Sequence, residues 1–243
     1  KRRKMETAIC ITGTARQIDY TFENLNKYLL QDIKNSDIIV YITKNNNSDK
    51  GLSYFEKLEN TYVHVVDETP IDITPFKFQS GWPPGGDTGI QIFLQMLKSR
   101  LYMNYLIGHT EERTNKKYDR IIFSRMDVVY EKPVYNLIKD LELSSSLVWI
   151  PSFHNWGGCN DRFAVSNREG MEKYFSLYEY VEEYCQQGHV FHAETTLQHH
   201  LNKMEMDIRR FDVRFARYRG GKQHDDFHSV GKQWDFIPPH KGT

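Results

Sequence analysis

The sequence predicts an α/β protein with a mostly parallel sheet that is covered by helices on both faces. Short runs of β-branched and aromatic residues alternate along the chain with stretches of helical periodicity, and a strand, crossover helix, strand rhythm is typical of this class. The length of 243 residues is enough for one large domain with a substantial core. The aromatic content of 14% favours a folded chain over a disordered one.

Four apolar runs in the first half of the chain are predicted strands. They cover residues 8–11, 38–42, 62–66 and the central stretch 121–130. Apolar residues at helical spacing from Phe22 to Leu29 predict a crossover helix between the first two strands. Strands that are joined in this way run parallel, so their carboxyl ends meet at one edge of the sheet, where ligands bind in such folds.

The longest predicted helix follows a stretch rich in Pro and Gly at residues 70–87. Residues 90–106 carry apolar side chains at helical spacing, and Asp87 or Thr88 is the expected N-cap. Residues 109–117 are polar and are predicted to form a loop that leads into the central strand.

The second half of the chain continues with shorter predicted elements. They are a short helix after Pro133, strands at 147–151 and 163–165, a helix over 171–184 capped by Ser166 or Asn167, a helix from Phe191 through Leu201, and a half-exposed strand at 208–219. The tail beyond these elements is polar and rich in histidine.

Four charged residues lie within predicted elements that are otherwise apolar. Arg125 and Asp127 interrupt the central strand, and their spacing places them on one face because strand side chains alternate. Buried charges are almost always paired, so these two must meet each other, a metal or a charged ligand, and a buried pair without any chemistry is the alternative. Lys98 and Arg100 lie off the apolar line of the long helix, and we expect them in solvent unless the helix passes beside an anion.

Polar residues follow the predicted strands at the carboxyl ends. They are Thr12 to Arg16 after the first strand, Thr43 and Lys44 after the second, Asp67 after the third, and Arg125 with Asp127 in the central one. The sequence therefore predicts that these side chains converge on one edge of the sheet.

The composition excludes several classes of protein. Lys+Arg and Asp+Glu number 32 each, and a formal net charge of zero argues against nucleic-acid binding. The three cysteines form no C-x-x-C pair, so we expect neither a disulfide framework nor a structural zinc site, and a reducing, cytoplasmic location is favoured. We expect no membrane span and no signal peptide, while association with a membrane surface stays open.

Three blocks of the sequence carry a resemblance to a known family. The first is Tyr118-Asp119 with the apolar strand that ends in Ser124-Arg125-Met126-Asp127. The second begins with Trp156-Gly157-Gly158 and ends in Ser166-Asn167, and the third is His192-Ala193-Glu194. In this order and spacing the chain resembles, over nearly its whole length, the GT-A (Rossmann-like) class of nucleotide-sugar-dependent glycosyltransferases.

The resemblance implies one GT-A domain over residues 1–243, with a nucleotide-sugar half at 5–135 and an acceptor half at 136–243 that includes a small acceptor-side subregion. It implies transfer of a sugar from a nucleoside diphosphate sugar, by family habit a UDP-sugar, to a saccharide acceptor. Arg125 stands where the family has the first residue of Asp-x-Asp. The chain is in this respect more similar to the Arg-x-Asp group of capsule, lipopolysaccharide and large-virus glycan synthesis, which would place a viral member in the host cytoplasm.

On this resemblance, a set of residues would bind the donor. They are Thr12, Thr14, Arg16, Asp67, Lys98, Arg125 and Asp127. Two ways of stabilising the leaving diphosphate stay open. Asp127 would hold Mn²⁺ or Mg²⁺ with the help of His224 and His228, although a polar tail of this kind usually only solvates. Alternatively, Arg125, Arg16 and Lys98 would neutralise the diphosphate without a metal.

The resemblance also assigns the acceptor side. Glu194 would be the general base of an inverting reaction and Asp161 the second choice, although Glu194 also fits a helix N-terminus as a favourable charge there. The acceptor would contact Trp156, Gly157, Gly158 and His192. Trp156 would stack on a sugar ring or, alternatively, belong to the core.

Two other functions stay open on the sequence alone. A nucleotidyltransferase that makes sugar nucleotides has a similar polar edge, but its first turn is usually a glycine-rich loop with Lys or Arg, to which residues 12–16 bear only a faint likeness. A non-catalytic sugar-binding module would use Trp82 and Trp156 and would not need Glu194.

Overall fold

The computed structural model describes residues 5–76, 85–219 and 222–224, the last three for their backbone alone. In chain order the strands are β1 (Thr7–Thr14), β2 (Asp37–Thr43), β3 (Thr61–Val66), β4 (Arg120–Arg125), β5 (Val128–Tyr130), β6 (Leu147–Pro151), β7 (Phe163–Ser166), β8 (Asp207–Phe211), β9 (Phe215–Arg219) and β10 (Lys222–His224). A seven-stranded sheet has the order β3-β2-β1-β4-β7-β6-β8, and a three-stranded sheet has the order β10-β9-β5.

The large sheet is mostly parallel, as predicted. β1 pairs in parallel with β2 and β4, β2 pairs in parallel with β3, and β6 pairs in parallel with β8. β7 runs antiparallel to both β4 and β6. Strands from both halves of the chain thus share one sheet, and the carboxyl ends of β1 to β4 meet at the same edge.

Helices cover the sheet on both faces. They are α1 (Ile18–Leu25), α2 (Ser48–Phe55), α3 (Gly86–Thr114), α4 (Tyr135–Ile138), α5 (Arg168–Phe175), α6 (Leu177–Gln186) and α7 (Ala193–Lys203). Side chains along β1 alternate between two cores, because successive residues of a strand point to opposite faces. Ala8 and Cys10 pack in the core that contains α3 and α5 to α7, whereas Ile9 and Ile11 pack in the core that contains α1 and α2.

The long helix is longer at both ends than the sequence predicts. α3 begins at Gly86 after Gly85, which has a left-handed conformation, so the predicted N-cap at Asp87 or Thr88 is wrong. It continues to Thr114, so the predicted loop at 109–117 is also wrong over most of its length. The polar end of α3 is stabilised by tertiary contacts, because the buried Glu111 accepts a hydrogen bond from the Tyr118 backbone and pairs with Arg168.

Two predicted elements of the second half are each divided in two. The helix predicted at 171–184 is α5 followed by α6, with a break at Ser176, whose hydroxyl donates to the Lys173 carbonyl. Asn167 caps α5 by accepting a hydrogen bond from the Gly170 backbone, as predicted. The strand predicted at 208–219 is β8 in the large sheet and β9 in the small one.

The central stretch is also two strands in two sheets. β4 ends at Arg125, and β5 begins at Val128 after a tight turn, so Arg125 and Asp127 are related by a turn and not by strand alternation. β5 pairs antiparallel with β9, and this pairing carries the carboxyl-terminal part of the described chain to the end of β4.

The three cysteines of the chain form no disulfide bond. Cys10, Cys159 and Cys185 are all free and buried. Among the described residues, no helix combines the length and the apolar composition that a membrane crossing requires.

Candidate functional site

A cavity of about 400 Å³ opens at the carboxyl ends of β1, β2 and β4. One wall is formed by Thr12, Gly13, Thr14, Arg16 and Gln17, and a second by Ile92, Gln95, Met96, Ser99 and Arg100 of α3. The remaining lining residues are Thr43, Glu68, Arg125, Met126, Asp127, Tyr218 and Arg219. The structure therefore brings together most of the polar residues that the sequence places at the carboxyl edge.

Asp127 lies between two arginines at the wall of this cavity. Its Oδ1 accepts a hydrogen bond from Nε of Arg125 at 2.8 Å, and its Oδ2 accepts one from Nη2 of Arg125 at 2.7 Å. Nε of Arg219 donates to the same Oδ2 at 3.1 Å. Of the partners that the sequence left open for these two charges, the structure shows that they contact each other, and a second arginine joins the pair.

The electrostatics of this group favour its charged state. Burial by itself would raise the pKa of Asp127, but the charges and hydrogen bonds of Arg125 and Arg219 outweigh it, so the pKa is lowered and the carboxylate stays ionised. Burial and the like charge of Arg125 lower the pKa of Arg219, and Asp127 opposes this effect. Two like charges are thus held together by one shared carboxylate.

The pairing of β9 with β5 in the small sheet brings Arg219 to Asp127 at the cavity wall. Arg219 follows Tyr218, whose backbone nitrogen donates to the Asp127 carbonyl at 2.8 Å and whose ring stacks on that of Tyr20 at 4.7 Å. Arg217 and Arg219 are two residues apart in β9 and so share a face. Arg219 is not among the residues that the sequence predicts for this edge, because only the pairing of β9 with β5 shows where that face points.

The described residues do not fit a divalent-metal centre. Both oxygens of Asp127 are engaged by guanidinium groups, which are donors only and cannot ligate a cation. Within ranges 5–76 and 85–219, no group of three or more His, Cys, Asp or Glu side chains could hold a metal ion. His228 lies outside the described residues, and for His224 only the backbone is described, in β10.

Arg100 of α3 is fully buried and pairs with an acidic side chain. Its Nη2 donates to both the carbonyl and the Oδ2 of Asp161, each at 2.7 Å. Its guanidinium also lies 5.4 Å from the centre of the Phe123 ring. At Arg100 the helix passes beside an anion, so the general expectation of a solvent position does not apply to this residue, and the anion is a side chain of the protein.

Asp161, the second choice for the general base, is not suited to that role. Its Oδ2 accepts a hydrogen bond from Nη2 of the buried Arg100. Burial would raise the pKa of Asp161, but the charges of Arg100, Arg162 and Arg125 hold it well below its usual range. A carboxylate held ionised in this way is a poor proton acceptor, and its contacts assign it to the interior of the protein.

Glu194 lies in the first turn of α7, beside the arginine that follows Asp161. Nη2 of Arg162 donates to Oε1 of Glu194 at 3.2 Å, and Nε2 of His192 lies 3.5 Å from Oε2. Burial and the negative charge of Asp161 raise the pKa of Glu194, while Arg162 and Arg217 act against this. Burial lowers the pKa of His192. Neither Glu194 nor His192 lines the cavity.

The Trp156-Gly157-Gly158 segment is a strained loop that is packed against α7. Trp156 has a φ of 42° and Gly157 a φ of 77°, in the left-handed region that favours glycine. The Trp156 side chain is exposed, which excludes a place in the core. A Cβ at Gly158 would overlap the carbonyl group of Glu194. The two glycines thus allow the loop to approach the start of α7 and to present Trp156 outward.

Two predicted donor residues are not brought to the cavity. Asp67 forms an exposed ion pair with Lys44 at 3.0 Å, and it is the neighbouring Glu68 that lines the cavity. Lys98 points along α3, with Nζ 5.8 Å from the centre of the Tyr102 ring, and is absent from the lining residues.

Comparison with known proteins gives one family and a set of similar folds. Residues 2–218 match the family described as Domain of unknown function (DUF7796), and no curated protein matches the chain. The galactosyltransferase LgtC in complex with donor and acceptor sugar analogues is similar with a TM-score of 0.52 at 12% identity, over 84% of this chain and 72% of that chain. An active-site mutant of LgtC gives a TM-score of 0.50 at 12% identity, over the same shares of 84% and 72%. Mouse xyloside xylosyltransferase 1 in its apo form gives a TM-score of 0.45 at 14% identity, over 85% of this chain and 84% of that chain.

At this identity the likeness to LgtC concerns the fold. The mostly parallel seven-stranded sheet with helices on both faces is the GT-A architecture, and the predicted fold class is confirmed. A shared fold does not determine the ligand, which depends on the residues of the cavity itself.

Proposed function

The chain belongs to the DUF7796 family, and from its fold and its cavity we propose that it transfers a sugar from a nucleoside diphosphate sugar to a saccharide acceptor. The observation that carries this proposal is the cavity at the carboxyl edge of the sheet, where hydroxyl groups and arginines converge. In open α/β sheets this edge is where nucleotides bind. LgtC, which shares the fold, was solved with donor and acceptor sugar analogues.

The donor is assigned to the cavity by chemistry. Thr12, Thr14 and Thr43 supply hydroxyl groups for the sugars and the base, and Arg16, Arg125 and Arg219 supply positive charge for the diphosphate. A volume of about 400 Å³ falls in the range of small-molecule sites. UDP-sugars are the first donors to test, on the strength of the family resemblance alone.

The acceptor is assigned to the side of the loop that carries Trp156. An exposed indole offers an apolar face on which a sugar ring can stack, and Gly157 and Gly158 fix its position against α7. The contact between His192 and Glu194 lies at the start of the same helix. The proposed acceptor site is thus built by residues of the second half of the chain.

Glu194 is the proposed general base of an inverting reaction. The acceptor hydroxyl must lose a proton as it attacks the anomeric carbon from the face opposite the diphosphate, and a carboxylate can take this proton. The raised pKa of Glu194, caused first by burial, makes it a stronger base than an ordinary carboxylate.

The test is a transfer assay with UDP-, GDP-, ADP- and dTDP-sugars and a set of oligosaccharide acceptors. We expect one donor to release its nucleoside diphosphate and to give a glycoside of inverted configuration, as read by NMR. Glu194→Gln should lower kcat by about 100-fold or more. Glu179→Gln is the matched control, because Glu179 lies in the first turn of α6 and is exposed.

Other outcomes point to other functions. Synthesis of a sugar nucleotide from a nucleoside triphosphate and a sugar phosphate, with release of pyrophosphate, would indicate a nucleotidyltransferase. Binding of oligosaccharide without turnover, unchanged in Glu194→Gln, would indicate a sugar-binding module. A glycoside of retained configuration would leave the transfer proposal standing and remove Glu194 from the role of base.

A further inference from the structure

We propose that the donor diphosphate is held by arginine charges in place of a divalent cation, with Arg125 and Arg219 as the anion-binding groups and Asp127 as the residue that positions them. This inference rests on the proposed function, because it concerns the diphosphate of the donor. In this arrangement Asp127 orients the two arginines and does not ligate a metal ion.

The first argument is the geometry of the carboxylate. Asp127 gives both of its oxygens to Arg125 through two parallel hydrogen bonds, which fix the plane of the guanidinium group. Its Oδ2 also accepts from Arg219, so the two guanidinium groups share one atom. A cation bound at Asp127 would have to displace these bonds and would face two like charges.

The second argument is the local balance of charge. Among the described residues that line the cavity, Arg100 is neutralised by the buried Asp161 behind the wall. The other charged lining residues are three arginines and two carboxylates, which leaves an excess of one positive charge. They are Arg16, Arg125 and Arg219 with Glu68 and Asp127. The whole chain has a formal net charge of zero, so this excess is a property of the site, and it opposes the negative charge of a diphosphate diester.

The like charges of Arg125 and Arg219 lie close together at the cavity wall. The repulsion from Arg125 contributes to the lowered pKa of Arg219, although Asp127 is shared between them. An anion placed at the cavity wall would relieve this repulsion. Guanidinium groups suit the task because their planar fork matches the oxygens of a phosphate.

The test is titration calorimetry of UDP, GDP and ADP in EDTA and, separately, in MnCl₂. We expect one of them to bind in EDTA with a Kd within about threefold of its Kd in MnCl₂. Arg219→Gln should weaken this binding by about tenfold or more, and Arg219→Lys by less. Arg209→Gln is the control, because Arg209 is an arginine of β8 whose partners are Glu142 and Asp207, and it does not line the cavity.

Asp127→Asn tests the positioning role, since it keeps the shape and removes the shared charge. We expect Asp127→Asn to bind the nucleotide more weakly than the parent protein in EDTA, and Asp127→Glu to recover part of the affinity. The ratio of the Kd in EDTA to the Kd in MnCl₂ should be the same in Asp127→Asn as in the parent protein.

Binding that needs Mn²⁺ and is lost in Asp127→Asn would overturn this inference and leave the proposed function intact. Binding in EDTA that neither Arg219→Gln nor Arg125→Gln weakens would overturn it as well. No binding of any nucleotide in either condition would overturn the proposed function itself.

Discussion

Arg100 and Asp161 form a buried ion pair that joins the long helix to the second half of the chain. Nη2 of Arg100 lies 2.7 Å from Oδ2 of Asp161, and the two side chains are 2% and 3% exposed. The same nitrogen donates to the Asp161 carbonyl, so the arginine holds the backbone before β7 as well as the carboxylate. Arg100 also lines the cavity, so the ion pair supports one wall of the proposed donor site.

Asp161→Ala should lower the free energy of unfolding by about 3–5 kcal/mol. The substitution leaves the Arg100 charge buried without its partner, and that is the costly result of breaking a buried pair. Urea denaturation followed by circular dichroism measures the change.

Asp67→Ala is the control for this measurement. It removes the exposed pair of Asp67 with Lys44, which solvent screens, so the free energy of unfolding should change little. Equal effects of the two substitutions would contradict the structural role of the Arg100–Asp161 pair.

Gly158→Ala should destabilise the protein by about 3 kcal/mol, because the added methyl group would overlap the backbone of Glu194. The first turn of α7 would have to move, so any activity that depends on Glu194 should fall as well. Gly188→Ala is the matched control, since Gly188 has a φ of 87° and no atom within 4 Å of an added Cβ. It should cost about 1–2 kcal/mol from its backbone conformation alone. A stable, active Gly158→Ala protein would show that the loop and α7 are not in contact.

The layout of the sheet was predictable because it depends on local patterns. Apolar runs at 8–11, 38–42 and 62–66 lie within β1, β2 and β3, and the polar residues after them meet at one edge because parallel strands end together. The need of Arg125 and Asp127 for partners followed from the same pattern, because charges in a buried stretch are almost always paired, but the turn that brings them together was not predicted.

The partners of the charged residues were not predictable, because they are far apart in the sequence. Arg100 pairs with Asp161, 61 residues away, and Arg219 reaches Asp127, 92 residues away, through the pairing of β9 with β5. The polar end of α3 was predicted as a loop for the same reason. Its buried Glu111 is stabilised by Tyr118 and Arg168, which the periodicity of a helix does not reveal.

Trp156→Ala should raise the KM for the acceptor by about 5- to 10-fold and leave kcat unchanged, because stacking on a sugar ring acts equally before and during the reaction. The side chain is 58% exposed, so the free energy of unfolding should change by less than about 0.5 kcal/mol. Tyr135→Ala is the control, since it removes an exposed aromatic side chain in α4. It should change neither the KM for the acceptor nor the free energy of unfolding. An unchanged acceptor KM in Trp156→Ala would remove Trp156 from the acceptor site.

His200 should make the protein less stable in mild acid. It is fully buried, its Nδ1 lies 3.0 Å from the Tyr184 hydroxyl, and its Nε2 lies 2.8 Å from the Lys173 carbonyl. Burial lowers the pKa of His200 from 6.5 to about 4. As the pH falls below 6.5 the unfolded chain therefore binds a proton that the folded chain excludes, and stability is lost progressively until about pH 4.

Between pH 7 and pH 5 this one group should lower the free energy of unfolding by about 2 kcal/mol. Urea denaturation at both pH values measures the loss in the parent protein and in His200→Gln, which cannot take up the proton. We expect the variant to be less stable at pH 7 but to lose about 2 kcal/mol less on acidification. His109→Gln replaces an exposed histidine of α3 and should lose as much free energy of unfolding on acidification as the parent protein. Equal losses in the parent and in His200→Gln would show that the imidazole is not buried in its neutral form.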